Sequence, residues 1–334
     1  MSQICQSLQS KYKEIKTLNN EFVLAFEKAK ETRTQEDRDT ARKLMNELKS
    51  KREELKNMLW PFEKEIMSMQ EFKKQYQKTI EAYRHFGFLQ KLSDGQEGIK
   101  DEQGNEHPVL SIDEIKSILK ENKETVIKQM ESMENPIIHL TPFALSPEYM
   151  KDKYSDQIEE HFVEERIEGD KRIPNKDKTK LFGVDGEPLE LRADKQNVYF
   201  DNVLKDLTYF PEWKKQADNS IKPENGITKE QAIKEIGIWR IIITENIPLA
   251  PEKDQGEKEI IGKDGKTKKI KQVEGGMDAS QQYEFIKKQD RQGLTPEDWI
   301  SFAMLYLRKN NTVLDDDQKT NYYCRLLGAA TASG

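Results

Sequence analysis

Residues 45–83 read MNELKSKREELKNMLWPFEKEIMSMQEFKKQYQKTIEAY. Met45, Leu48, Leu55, Leu59, Phe62, Ile66, Met69, Tyr76, Ile80 and Tyr83 hold one heptad phase through this stretch, with Arg52 and Lys73 at two of its positions. A 3.5-residue period keeps one stripe of a helix facing a neighbour. The same alternation of three and four runs upstream through Cys5, Leu8, Tyr12, Ile15, Phe22, Phe26 and Ala29, interrupted at Asn19. Residues 3–91 therefore read as helices. Thr34-Gln35-Glu36-Asp37 supplies an N-cap between the first two. That short gap favours an antiparallel hairpin closing on itself over an oligomerising coiled coil. Pro61 lacks an amide donor and disfavours helix at Trp60, so a kink or a fresh helix start is expected there.

Long paired helices suit the composition. Charged residues make up 35% of the 334 and mean hydropathy is −0.91, against about 25% charged in an ordinary domain. Only a narrow stripe of each paired helix needs burial, so a polar chain can still fold. The formal net charge of −6 and pI of about 5.6 argue against general nucleic-acid binding. Cys5 and Cys324 stand at opposite ends and make neither a zinc spacing nor a disulfide framework. A reducing, cytoplasmic setting fits that usage. The N-terminus has no apolar core of signal-peptide length, and no apolar run approaches a membrane span.

Beyond Ser93-Asp94-Gly95 the pattern changes. Short extended pieces are expected around Gly104-Asn105. Ser111-Ile112-Asp113-Glu114 is a capping box for a helix reaching about Met133. Pro136 to Leu145 reads as buried and partly extended. Ser146-Pro147 opens a helix to about Ile167, ended by Gly169. From Asp170 on, α and β signals mix. Phe182 to Glu187 reads as a turn, Thr228 to Gln231 as a capping box, and Ile238 to Thr244 as the clearest strand. Ile260 to Ile270 reads as a hairpin around Asp264-Gly265. Asp278 and Gln281 cap a helix to about Lys288. Thr295-Pro296 opens the last, to about Lys309, with Trp299, Ile300, Ala303, Tyr306 and Leu307 on one face.

Constellations that carry chemistry are not visible. His85, His107, His139 and His161 include no pair at i, i+4, and His161 lacks the second histidine that a zinc helix needs. Asp315-Asp316-Asp317 lacks the spacing of an EF-hand and reads as a solvated turn. No glycine-rich phosphate loop or nucleophile elbow occurs. Lys263, Lys266, Lys268, Lys269 and Lys271 form the densest basic patch, but without interleaved aromatics. Tyr199-Phe200, Tyr209-Phe210 and Trp213 read as core. An enzyme assembled from distant positions would reveal itself as a deep pocket gathering several titratable groups.

Three segments carry a family resemblance. They are Tyr76 to Leu92 continuing through Gly104 to Pro108; Leu140 to Leu145 with Leu181 to Leu189; and Gly293 to Trp299 through Asn311 to Asp316 and Leu327 to Ala329. Together they resemble uncharacterised candidate-phyla bacterial proteins ending in a hypervariable C-type-lectin-like module, the target proteins of diversity-generating retroelements. The resemblance implies a ligand surface in a final variable segment, which would follow Gly334. It therefore carries no binding residue onto this sequence, and the ligand-binding positions stay unknown.

The expected fold class is α+β. A long-helix hairpin or coiled coil (1–92) precedes a mostly helical linker domain (93–169) and a mixed region with hairpins (170–273). The start of a C-type-lectin-like module follows (274–334). The expected function is non-enzymatic binding of a protein or cell-surface ligand. There is no catalytic, cofactor or metal residue to name, no nucleic-acid partner and no membrane span. The alternative is a structural or adaptor protein that self-associates through residues 1–92.

Overall fold

The computed structural model describes residues 3–59, 67–133, 136–160, 165–168, 171–174, 181–182, 204, 207–244, 254–261, 266–274, 276–314 and 327–330. Its architecture is mixed α+β, with a helix pair at the N-terminus. Packing divides the chain into two units, Met1–Glu71 and Phe72–Gly334.

In the first unit α1 (Gln3–Thr32) and α2 (Gln35–Leu59) form an antiparallel hairpin. The ion pairs give its register. Lys11 meets Glu54, Glu14 meets Lys51 at 2.9 Å, and Lys28 meets Asp37 at 2.9 Å, so one partner climbs the chain as the other descends. Thr34 caps α2, accepting the Asp37 N–H at 3.3 Å.

The seam is offset from the expected one. Lys11, Ile15, Leu18, Phe22, Ala25 and Ala29 face α2, while Tyr12 and Phe26 are 65% and 46% exposed. On α2 the inward row is Asp37, Ala41, Leu44, Leu48, Lys51 and Leu55. The two seams share Ile15, Phe22 and Ala29 but differ in which flank completes the heptad. Large rings at Tyr12 and Phe26 outweighed Leu18 and Ala25 in the sequence pattern. In the helix pair, small and aliphatic residues allow the close approach. The two polar residues that seemed to break the seams, Asn19 and Arg52, lie beside it and bond to each other at 3.0 Å.

The expected helix through residue 91 is corrected. A separate helix, α3 (Met69–His85), starts with a Ser-x-x-Glu box in which Ser68 Oγ accepts the Glu71 N–H and Glu71 accepts the Ser68 N–H. Residues 60–66, which include Pro61, lie outside the described residues. α3 ends at His85, and Gly87 at φ 72° turns the chain into β1 (Gln90–Lys91). Strands β1, β2 (Glu97–Lys100) and β3 (Glu106–Pro108) make a three-stranded antiparallel sheet.

The long helix expected from Ser111 divides at Asn122 into α4 (Ile112–Glu121) and α5 (Lys123–Glu131). After β4 (Ile137–Thr141), α6 (Pro147–Glu160) is shorter than expected. Glu165–Glu168 is not its last turn but a strand, β5, paired with β6 (Lys171–Pro174). The arginine and isoleucine of Glu-Arg-Ile-Glu fit either period, and pairing decides it.

The remaining elements are β7 (Thr208–Tyr209), β8 (Glu212–Lys215), β9 (Ile221–Glu224), α7 (Lys229–Ile236), β10 (Arg240–Thr244), β11 (Glu257–Ile261), β12 (Thr267–Lys271), α8 (Ala279–Lys288), α9 (Pro296–Asn310) and β13 (Ala329–Ala330). Capping boxes at Ser111, Thr228, Asp278 and Thr295 are complete. The turns expected at 183–187 and 262–265 lie outside the described residues.

The core of the second unit is built on the antiparallel ladder β4–β10, in register Arg240↔Thr141 to Thr244↔Ile137. Tyr83 of α3 is buried and donates to Leu140 O at 2.7 Å. α9 packs on this ladder and on α6, with His139 edge-on to Phe302 and Tyr154 edge-on to Trp299. Strands on either side of residues 169/170 and 273/274 pair with one another: β4 with β10, and β7 with β13.

Candidate functional site

The first turn of α9 gathers the most deeply placed charges among the described residues. Thr295, Glu297, Asp298 and Ser301 are all 0% exposed. The apolar face expected on this helix is there, with Trp299, Ile300, Ala303 and Leu307 buried and Tyr306 half-buried. Burial simply continues around the cylinder through the polar residues. A 3.6-residue pattern points to one face and gives no sign that the opposite face is covered too.

Local chemistry places each group. Thr295 Oγ1 accepts the Asp298 N–H at 3.3 Å, and Asp298 Oδ2 accepts the Thr295 N–H at 3.0 Å. This carboxylate sits at the positive end of the helix dipole. The same oxygen takes Arg240 Nη1 of β10. Arg240 Nη2 continues to Gln292 Oε1 at 3.0 Å, and the guanidinium lies 5.0 Å over Phe210. One residue earlier, Glu297 Oε1 accepts Tyr209 OH at 2.7 Å and Lys229 Nζ. Lys229 opens α7, and its ammonium lies 3.7 Å over Phe143 and 4.8 Å over Tyr209. Phe143, Tyr209, Ala232 and Ala329 form the apolar cluster around it.

Burial shifts these groups. Desolvation pushes the Asp298 carboxyl up, against the lowering effect of Arg240, and pushes the Lys229 ammonium down, against Glu297. Desolvation and then the Glu297 charge raise the Tyr209 phenol far beyond its usual range. Shifted groups in one place are the usual mark of a functional centre, but structural ion pairs give the same mark. Here the ammonium, guanidinium, phenol and one oxygen of each carboxylate spend their contacts on one another and on aromatic faces, while Glu297 Oε2 and Asp298 Oδ1 are buried with no hydrogen-bond partner among the described residues.

The C-terminal strand is tied to the same place. Phe210 N–H donates to Gly328 O at 2.8 Å, Gly328 N–H to Leu294 O at 3.0 Å, and Trp213 Nε1 to Leu327 O at 3.0 Å. β13 pairs with β7 through Ala329↔Tyr209. Gly293 and Gly328 cross so closely that a Cβ on Gly293 would come within 2.5 Å of Gly328 N.

The other candidates are scattered. His139 is buried, its Nε2 2.9 Å from Thr244 Oγ1, beside a cavity of about 10 Å³ lined also by Tyr76, Thr79 and Ile138. That volume suits about one water molecule. Burial, with Lys309 adding to it, holds the imidazole down at about 4. His107 meets Asp101 at 2.9 Å, and His85 lies 3.9 Å from Glu160. His161, Asp315 to Asp317, Cys324 and Tyr199-Phe200 lie outside the described residues. The lysine patch is a solvated hairpin: Lys271 pairs with Glu257 across β11–β12 at 3.0 Å, Lys269 with Glu259 at 3.8 Å, and Lys268 with Glu131 of α5 at 3.3 Å. Among the described residues no group of three or more His, Cys, Asp or Glu is placed to hold a metal ion, and no helix is long and apolar enough to cross a membrane.

Sequence reading missed Glu297, Asp298, Arg240 and Lys229 as a unit. One signal was available: acidic residues directly after the Thr-Pro cap, and an arginine opening the most apolar strand. No family model, curated protein or solved structure matches this chain.

Proposed function

We propose that this chain is a non-enzymatic binding protein, the scaffold of a retroelement-diversified ligand-binding protein in which residues 274–334 begin a C-type-lectin-like module. One observation carries the reading. Residues 327–330 are clamped on both sides, by Leu294 before α9 and by β7 with Phe210, over the buried Glu297 and Asp298 network. A surface that must tolerate side-chain change needs stability supplied from elsewhere, with recognition displayed at the edge of a rigid frame. Charges locked inside that frame favour support over turnover.

The test is the nucleotide sequence after the Gly334 codon. An open frame with a near-duplicate template repeat nearby supports the reading. A stop codon with no such repeat contradicts it. The alternative, an adaptor working through the N-terminal hairpin, is favoured by a separate observation, the segregation of charge on that hairpin.

A further inference from the structure

The antiparallel register of α1 and α2 places the positions flanking the seam on one of two opposite sides, with Lys13, Asn20, Glu27 and Asp39 exposed on the outer edges between them. On one side, marked by the Asn19–Arg52 bond, the charged residues are Lys16, Lys30, Arg38, Arg42, Lys49 and Arg52, with no acid among them. Tyr12, Val23 and Phe26 are exposed on this side, at 65%, 44% and 46%. Of its cations, Lys16, Arg38, Arg42 and Lys49 have no ion pair among the described residues. On the opposite side the acids are Glu14, Glu21, Glu31, Glu36, Glu47 and Glu54, against Lys28 and Lys43. Glu14 and Glu54 are spent on Lys51 and Lys11. Glu21, Glu31, Glu36 and Glu47 have no ion pair among the described residues, and Leu24 stands among them 70% exposed.

We infer that the basic side of this hairpin docks on the acidic side of a second copy of the chain. Charge decides the mode. Two basic sides facing each other would set like charges together along roughly 21 Å of helix, at 1.5 Å per residue. A basic side on an acidic side brings unpaired cations to unpaired carboxylates and covers Val23 and Phe26 with the neighbour's Leu24. The two surfaces lie on opposite sides of one hairpin, so the contact is head-to-tail. It extends from copy to copy unless rotation closes a ring. This inference rests on the hairpin alone and stands whether or not the scaffold reading does.

Sedimentation of the full chain tests it with three proteins: the wild type, K16E/R38E/R42E/K49E, and E21K/E36K/E47K. The wild type should exceed its 39.1 kDa monomer mass as concentration rises at low salt. It should return toward monomer at about 1 M salt, where the screening length is about 3 Å. Each reversed chain alone should stay monomeric, and an equimolar mixture should associate again, since one now has two acidic sides and the other two basic sides. Circular dichroism checks that the helices persist. If a reversed chain loses them, the neutralised K16Q/R38Q/R42Q/K49Q chain decides instead, with monomer expected. A wild type that stays monomeric throughout, reversed chains that associate as it does, or a monomer that binds phosphatidylserine vesicles would each overturn the inference.

Discussion

The flanks of the α1–α2 hairpin and the first turn of α9 use the same residue types, Glu, Asp, Lys and Arg, to opposite ends. On the hairpin the charges lie in water, and the helices are held by the aliphatic row that includes Leu18 and Leu48. At α9 the carboxylates are fully enclosed, and a guanidinium and an ammonium enter the core to meet them. Charge density alone therefore says little. Its energetic weight depends on whether neighbouring elements remove the water around it.

The comparison breaks most easily at Asp298. Asp298→Ala leaves the Arg240 guanidinium buried without its carboxylate and should cost about 3–5 kcal/mol in urea unfolding of the second unit. A cost near zero would mean that water reaches the pair. His139 comes next. Its folded value near 4 lies below the ordinary 6.5, so the fold holds it neutral. The unfolded chain takes up the proton first as pH falls. The contribution is whole above about 6.5 and is lost between about 6.5 and 4, on the order of 3 kcal/mol. Replacing it as His139→Gln should flatten that part of the stability–pH curve.

A smaller effect is expected where the chain crosses itself. Gly328→Ala would drive a Cβ into Gly293 O and Leu294 and should destabilise by about 1–3 kcal/mol, read from the unfolding midpoint. The hairpin seam gives the sharpest contrast of phase. Leu18→Ala should cost about 2 kcal/mol, while Tyr12→Ala should leave the hairpin's melting unchanged. The reverse order would restore the seam through Tyr12 and Phe26.

What could be read from the sequence followed from local rules. The caps at Ser111, Thr228 and Asp278 and the Thr295-Pro296 start need only a few adjacent residues, and each opens a helix where one was expected, although the helix from Ser111 stops at Glu121 rather than near Met133. The strand at Ile238 to Thr244 was legible from its β-branched run. Its inner face was not: Arg240, Ile242 and Thr244 point to the core, while Ile241 and Ile243 are half-buried. Hydropathy ranks those faces the wrong way, because it cannot know that Asp298 waits opposite Arg240. The hairpin's seam failed for a related reason. Two flanks of one helix differ by a single residue, and only the partner helix chooses between them. The network at α9 joins residues from β7, α7, β10 and α9, which no spacing within one segment can announce.

The most direct measurement is the unfolding free energy of the paired replacement Arg240→Met with Asp298→Leu, set beside Asp298→Ala alone. If these charges serve the frame by mutual burial, the paired chain should regain most of the stability that the single change loses, short of the capping contribution of about 1 kcal/mol. A paired chain as unstable as the single variant would contradict that account.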